Sequence, residues 1–314
     1  MLFVVSGHSG SPFTGYYYTF HMGLFFFISG FLMMKSNYHS IEFKSFLHYK
    51  IIKVIVPFII FCLISLGVSE WRVYKMNQML FPIESGHIKS LLFGGGYLAD
   101  YSINFPLWFF HTLFIAYVCM FFLVKLNRNL KIFVFILIYF LTIPFQTAIP
   151  GRPAFHINVL PAALVYMLFG YGFHRLLNKI NKKIHISFGI VLLFIGWYTS
   201  RTYGGNIAQI GSLYYYFESF CTISGLYFIL DHIKNAKILE YIGERSMFVL
   251  GCHVLVLERA SELAEYIKQS VGFYSDFIWH IFIVCITVIL CCSFFDIFKI
   301  ISKSSCLFIW HRHK

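Results

Sequence analysis

Between Ser6 and Met34 the chain reads SGHSGSPFTGYYYTFHMGLFFFISGFLMM, and its polar members His8, His21 and Ser29 stand among apolar and aromatic residues. An imidazole takes a proton from a hydroxyl near neutral pH, and a hydroxyl can donate to a developing oxyanion, so the three are candidates for group-transfer chemistry. Each lies in or beside a run apolar enough for a membrane, where an idle polar group is costly. Pro12 and Gly15 break the run, so a first helix should end near Gly10 and a second begin near Tyr16 to Tyr18. His8 then falls about one turn before the break and His21 about one turn after it, and two imidazoles at similar depth would share a cavity.

Other candidates are scattered along the chain. Lys50 and Lys53, in YKIIKVIVPF, follow Lys44 and His48 and sit one turn apart at the start of an apolar run. That pattern suits topology retention and snorkelling, or a cationic seat for a phosphorylated ligand. Glu218, in LYYYFESFCTI, is about nine residues into its helix, where it should be paired, protonated or facing water. It either orients a catalytic imidazole or closes a structural ion pair. His111 in PLWFFHTLF and His253 in VLGCHVLVL stand alone on apolar helices, where a helix-to-helix hydrogen bond is the plainest role. No His-x-x-x-His or Glu-x-x-His pair puts two ligands on one helix face, and His311 and His313 belong to a solvated tail, so no metal is expected.

The elements that must hold these residues are membrane helices. With 59% hydrophobic and 12% charged residues over 314 positions and a mean hydropathy of +0.73, the composition excludes a soluble domain. Apolar runs near 17–34, 51–68, 106–125, 131–149, 156–177, 184–201, 209–231, 245–267 and 274–300 follow a short opening run. They predict an all-α, polytopic integral membrane protein of about ten transmembrane helices, the first short or truncated. Its roughly 14 Å of helix meets a hydrocarbon core of about 30 Å, so either the start lies upstream or the helix is a stub. No signal-peptide cleavage pattern precedes it. The expected organisation is one transmembrane domain over 1–300 and a basic cytoplasmic tail over 301–314.

Eighteen of the 25 lysines and arginines fall in alternate loops and seven in the opposite ones. This places the C-terminus in the cytoplasm and the turn between His8 and His21 outside. The same distribution reads the net charge of +12 as topology, and no nucleic-acid partner is expected. The eight cysteines lack Cys-x-x-Cys spacing and read as small buried hydrophobes, with Cys306 placed beside the membrane as an inert thiol or an acylation site. The connection from Ser69 to Phe105 carries Gly94-Gly95-Gly96, a flexible turn rather than a phosphate loop.

Three stretches, LFVVSGHSG, FHMGLFFFISGFLM and FLHYKIIKVIVPF, together resemble the opening of the membrane acyltransferase-3 family, in particular its fucose 4-O-acetylase-like, polysaccharide-acetylating branch. PLWFFHTLF resembles that family's Leu-Trp-Phe segment, and IGERSMFVLGCHVLVL its late Gly-x-x-Ser…His segment. The resemblance implies an enzyme in a bacterial inner membrane that moves an acyl group, usually acetyl, from cytoplasmic acetyl-CoA to a sugar hydroxyl presented among the membrane lipids. By motif position His8 would be its essential histidine, and the residues themselves offer His21 or Ser29 to assist the oxyanion and Glu218 to orient an imidazole. Lys50 and Lys53 would take the places of two donor-binding arginines, and Trp108 and His253 the later motif positions. The family's Arg-containing stretch before the first helix has no counterpart here. A non-enzymatic exporter, with buried His and Glu residues lining a path, is the alternative from another class.

Overall fold

The computed structural model describes residues 1–35, 41–77, 84–94, 103–177, 180–233, 235–272 and 275–304, without the side chains of residues 175, 183 and 301–304. Gly95, Gly96, Lys179, Lys234 and residues 305–314 with Cys306, His311 and His313 lie outside the described residues. In order the helices are α1 (Leu2–His8), α2 (Thr14–Lys35), α3 (Phe43–Lys50), α4 (Val56–Asn77), α5 (Ser85–Gly94), α6 (Trp108–Leu123), α7 (Arg128–Ala148), α8 (Leu160–Leu177), α9 (His185–Ser200), α10 (Tyr214–Leu230), α11 (Lys237–Glu244), α12 (Ser246–Val271) and α13 (Asp276–Ser304). The described residues form no sheet beyond one isolated bridge between Asn206 and Gln209.

Among the described residues six continuous helical stretches are long and apolar enough to cross a bilayer: Thr14–Lys35, Phe43–Lys75, Phe105–Leu123, Arg128–Ala148, Ala154–His174 and Asp276–Ile300. Large side chains such as Leu63, Phe133, Phe140, Phe194 and Ile289 stay exposed on helix flanks, as lipid-facing positions require. The protein is an all-α polytopic membrane protein. Among the described residues six stretches, rather than about ten, meet both the length and the hydropathy of a full span, because several runs form shorter or more charged helices than their hydropathy suggested. Helix α1 has 7 residues, α9 has 16 and α10 has 17. Helix α12 is apolar only up to Leu257 and then carries Glu258, Arg259, Glu262, Glu265 and Lys268.

Two local signals act differently from their sequence reading. Gly10 makes the break after α1 with φ +75°, whereas Gly15 sits inside the first turn of α2. The helix starts early because Ser11 caps it: its Oγ accepts from the Phe13 N–H at 3.1 Å and its carbonyl from Thr14 Oγ1 at 2.7 Å. His21 is therefore nearly two turns into α2, not one. Between α3 and α4, Ile51–Ile55 form a π-helical turn. Pro57 supplies the cause, since it has no N–H and crowds the carbonyl four residues back, and the extra residue in the turn relieves this.

The chain divides into two compact units. The first comprises residues 1–14, 51–108 and 236–314, where α12 packs against α1, α4 and α13. Phe61 of α4 lies over Gly251 of α12, where a Cβ would overlap its ring, and Phe248 meets Phe61 and Phe295 edge-on. Within the connection Ser69 to Phe105 the described residues are largely helical, through the end of α4 and α5, whose Ser90 and Leu91 are buried. The second unit comprises residues 15–50 and 109–235. There α2 and α8 approach at backbone distance: a Cβ on Gly30 would overlap the Met167 carbonyl, and one on Gly170 the Phe27 carbonyl. Helices α9 and α10 are joined in the same way through Gly189, Gly196 and Gly225.

Candidate active site

The first unit gathers histidines from three helices. His8, the last residue of α1, is half-buried and its ring centroid is 5.2 Å from that of His253 on α12, with the planes inclined by 45°. His253 is fully buried, and its Nδ1 lies 3.1 Å from the Val249 carbonyl and 2.9 Å from the Leu250 carbonyl. A carbonyl only accepts, so Nδ1 carries the proton and Nε2 is the basic nitrogen. Next to His8, Ser9 donates to the Ser6 carbonyl at 3.2 Å and lies 3.1 Å from Nδ1 of His280 on α13.

Asn104 ties the helices that carry this cluster. It is buried just before the turn Phe105–Leu107, and its Nδ2 donates to Ser65 Oγ at 2.9 Å and to the Gly251 carbonyl at 2.8 Å. Ser65 in turn donates to the Phe61 carbonyl at 2.6 Å. The network fixes α4 against α12 two residues from His253. Arg72 extends the tie, donating to the Leu255 carbonyl at 2.8 Å and pairing with Glu258. Trp108 closes this unit at the start of α6 and is buried, and Lys53 is half-buried in the π turn.

The remaining candidates belong to the second unit. His21 is buried, with Nδ1 2.6 Å from the Tyr17 carbonyl and its ring edge-on to Tyr18 at 5.0 Å, so here too Nε2 is the basic nitrogen. Ser29 is buried on α2 beside the Gly30 contact. Lys50 is only 6% exposed, and its Nζ sits 3.4 Å from the centroid of the Tyr117 ring, a cation–π geometry rather than a snorkelling one. His111 is buried against Phe155 at 5.3 Å. Phe155 and His156 adopt φ of 58° and 46°, a left-handed pair that bulky residues rarely take. Glu218 is fully buried, and neither carboxylate oxygen has a hydrogen-bond partner among the described residues, an imidazole included.

The structure thus joins His8 to His253, two residues read separately in the sequence, and gives Glu218 no histidine. Ser9, Asn104 and His280 carry a legible signal, polar residues in or beside apolar runs, that the sequence reading passed over. It also read Arg128 and Lys131 only as topology signals. They stand at one end of a groove of about 440 Å³ between α7 and α8, lined further by Phe135, Phe169 and Phe173.

A multi-pass helical membrane protein with imidazoles brought together inside it is the class that fold and site define. Residues 1–296 match the acyltransferase-3 family, described as an acyltransferase domain, and the chain belongs to that family. It is an acyltransferase, which sets aside the non-enzymatic exporter. No curated protein and no solved structure matches the chain.

Proposed function

We propose that the protein is an inner-membrane O-acyltransferase of the fucose 4-O-acetylase-like, polysaccharide-acetylating kind. It would move an acyl group, acetyl first of all, from cytoplasmic acyl-CoA to a sugar hydroxyl of a surface polysaccharide or its lipid-linked precursor. The observation that carries this reading is the His8–His253 pair inside the acyltransferase match. In the reaction, the His8 imidazole takes the hydroxyl proton as the sugar oxygen attacks the thioester carbonyl. The new C–O bond replaces the C–S bond, and CoA leaves as a thiolate that recovers the proton. His253 steadies the His8 ring from a fixed tautomer, and His280 holds the α1 terminus through Ser9. Direct transfer and an acyl-histidine intermediate both use this pair.

Ser29 would serve the oxyanion, or His21 in its doubly protonated form, because the neutral ring gives its one N–H to the Tyr17 carbonyl. Lys50 and Lys53 would meet the phosphates of the donor on the cytoplasmic side, with Trp108 along the donor path. The alternation of lysines and arginines between loops supports a cytoplasmic C-terminus. The test is transfer from radiolabelled acetyl-CoA to capsular or O-antigen glycans by the full chain in proteoliposomes. Alkali-labile label on the glycan is expected with wild type and not with His8→Ala. Equal labelling by the two would overturn the role of His8.

A further inference from the structure

We infer that His185, Asp231 and His232 form a binding site for a divalent transition metal, of the chemistry that takes Zn²⁺, at one end of the α9–α10 hairpin. One ligand atom from each residue lies within 4.8 Å of the others. His185 opens α9, while Asp231 and His232 directly follow α10, so the three bridge the start of one helix to the end of the other in a hairpin already in close contact.

The state of the imidazoles points to a cation. His185 is only 2% exposed, yet neither ring nitrogen has a hydrogen-bond partner among the described residues, and Nδ1 stops 3.6 Å from Asp231 Oδ2. That separation is too long for a hydrogen bond and close to the roughly 3.3 Å edge of a tetrahedron with zinc bonds near 2.0–2.1 Å. His232 has the opposite problem. Its Nδ1 faces the Phe228 carbonyl at 3.1 Å and its Nε2 the Lys182 carbonyl at 3.2 Å, two acceptors for a neutral ring that owns one N–H. If Nδ1–H donates to Phe228, Nε2 directs a lone pair at an oxygen, and a metal between them turns that clash into two ligands. A metal-bound histidine usually donates its other ring N–H to a carbonyl, as Nδ1 would here. Two imidazoles, one carboxylate and the Lys182 carbonyl then complete a four-ligand set, with the exposed Asp231 and His232 as the entry side.

The ligands come from the start of α9 and the end of α10, which meet at one end of the hairpin, so the site would clamp α9 to α10. The test uses the full chain purified in detergent through a tag without histidine, with His311→Ala and His313→Ala silencing the tail. It is titrated with Zn²⁺ alone against a competing chelator. One equivalent per chain is expected, with a melting temperature that rises with Zn²⁺ and tetrahedral visible bands when Co²⁺ replaces it. His185→Gln and the exposed, conservative Asp231→Asn should each weaken binding at least about tenfold while the protein stays monodisperse. Absence of a stoichiometric site in the parent, or unchanged affinity in monodisperse Asp231→Asn, would overturn the proposal, and octahedral Co²⁺ bands would overturn the four-ligand set.

Discussion

The cluster around His253 in the first unit and the buried Glu218 and His185 of the second are held differently, although each unit also has buried groups of the other kind. Among the described residues Asn104 Oδ1 and Thr287 Oγ1 lack hydrogen-bond partners in the first, and Gln146 and Thr142 are hydrogen-bonded in the second. In the first, Asn104 serves Ser65 and the Gly251 carbonyl, Ser65 serves Phe61, and His253 is tied to its own helix, so the polar groups beside the histidine pair are oriented by the chain itself. In the second, helices meet through glycines at backbone distance, while Glu218 and His185 are buried without hydrogen-bond partners among the described residues. A satisfied network holds an imidazole in one tautomer and direction, which general-base chemistry needs. An unsatisfied buried group is a cost that only a ligand or a proton can offset. Under the proposed function the surroundings of the His8–His253 pair would be the preorganised part of the reaction centre, while Glu218 and His185 of the second unit are groups that a proton or a ligand would have to satisfy.

Substitutions can break or sharpen this contrast. The largest effect is expected at the pair, where His253→Ala should lower the turnover number by about 100-fold or more with a small change in acceptor KM, measured by acetyl transfer. Gly30→Leu comes next. It drives a side chain into the Met167 carbonyl, so about 3 kcal/mol of stability should be lost in thermal or denaturant unfolding in detergent. Gly251→Ala should be rescued in part by Phe61→Leu, because its obstacle is a ring, whereas Gly30→Ala meets backbone and has no such rescue. Asn104→Ala should cost about 2 kcal/mol by removing the hydrogen bonds it donates to Ser65 and the Gly251 carbonyl, and it should lower activity along with the melting temperature.

A smaller effect is expected at the proposed donor seat. Lys50→Met should raise the KM for acetyl-CoA about tenfold, or ~1.4 kcal/mol, and leave the turnover number nearly unchanged, provided the ammonium under Tyr117 reaches the donor. The smallest is at the helix-end cluster where Arg245 pairs with Asp296 at 2.6 Å and the Tyr241 hydroxyl donates to Asp296 at 2.5 Å. Asp296→Asn should lower stability by about 0.5 kcal/mol, as expected of a partly exposed pair. The hydrogen bond to Asp296, with a lesser push from burial, raises the Tyr241 phenol above its ordinary value. Its contribution is therefore full below pH 10 and lost as pH rises through the folded-state value, and Asp296→Asn should flatten that alkaline fall.

Most of the helices were legible because apolar runs of this length have few other fates, and the short first helix followed from Gly10 and Pro12. The ends were less so. Hydropathy carried the α12 span past Leu257 into a charged stretch, and Gly15 read as a breaker because the Ser11 cap cannot be recognised before the turn is formed. Regular spacing put Lys50 and Lys53 on one face, but Pro57 forces a π turn between them, leaving Lys50 buried and Lys53 half-buried. His8 and His253 each stood out as polar residues in apolar surroundings, yet no local period joins positions so far apart in the chain. The same limit hid His185, Asp231 and His232. A search for two ligands on one helix face passes over a set assembled from the ends of two helices, so the sequence-based expectation of no metal stands against the site proposed here.

The measurement that bears most directly on the central claim is the O-acetyl content of surface polysaccharide, read by NMR in a host lacking the gene. The strain is complemented with wild type or His8→Ala at matched membrane levels. The account predicts that wild type restores the acetyl signal and His8→Ala does not, with equal amounts of glycan outside. An acetyl signal restored equally by both would contradict the role of His8. A wild type that changes only the amount of exported glycan would contradict the proposed acceptor.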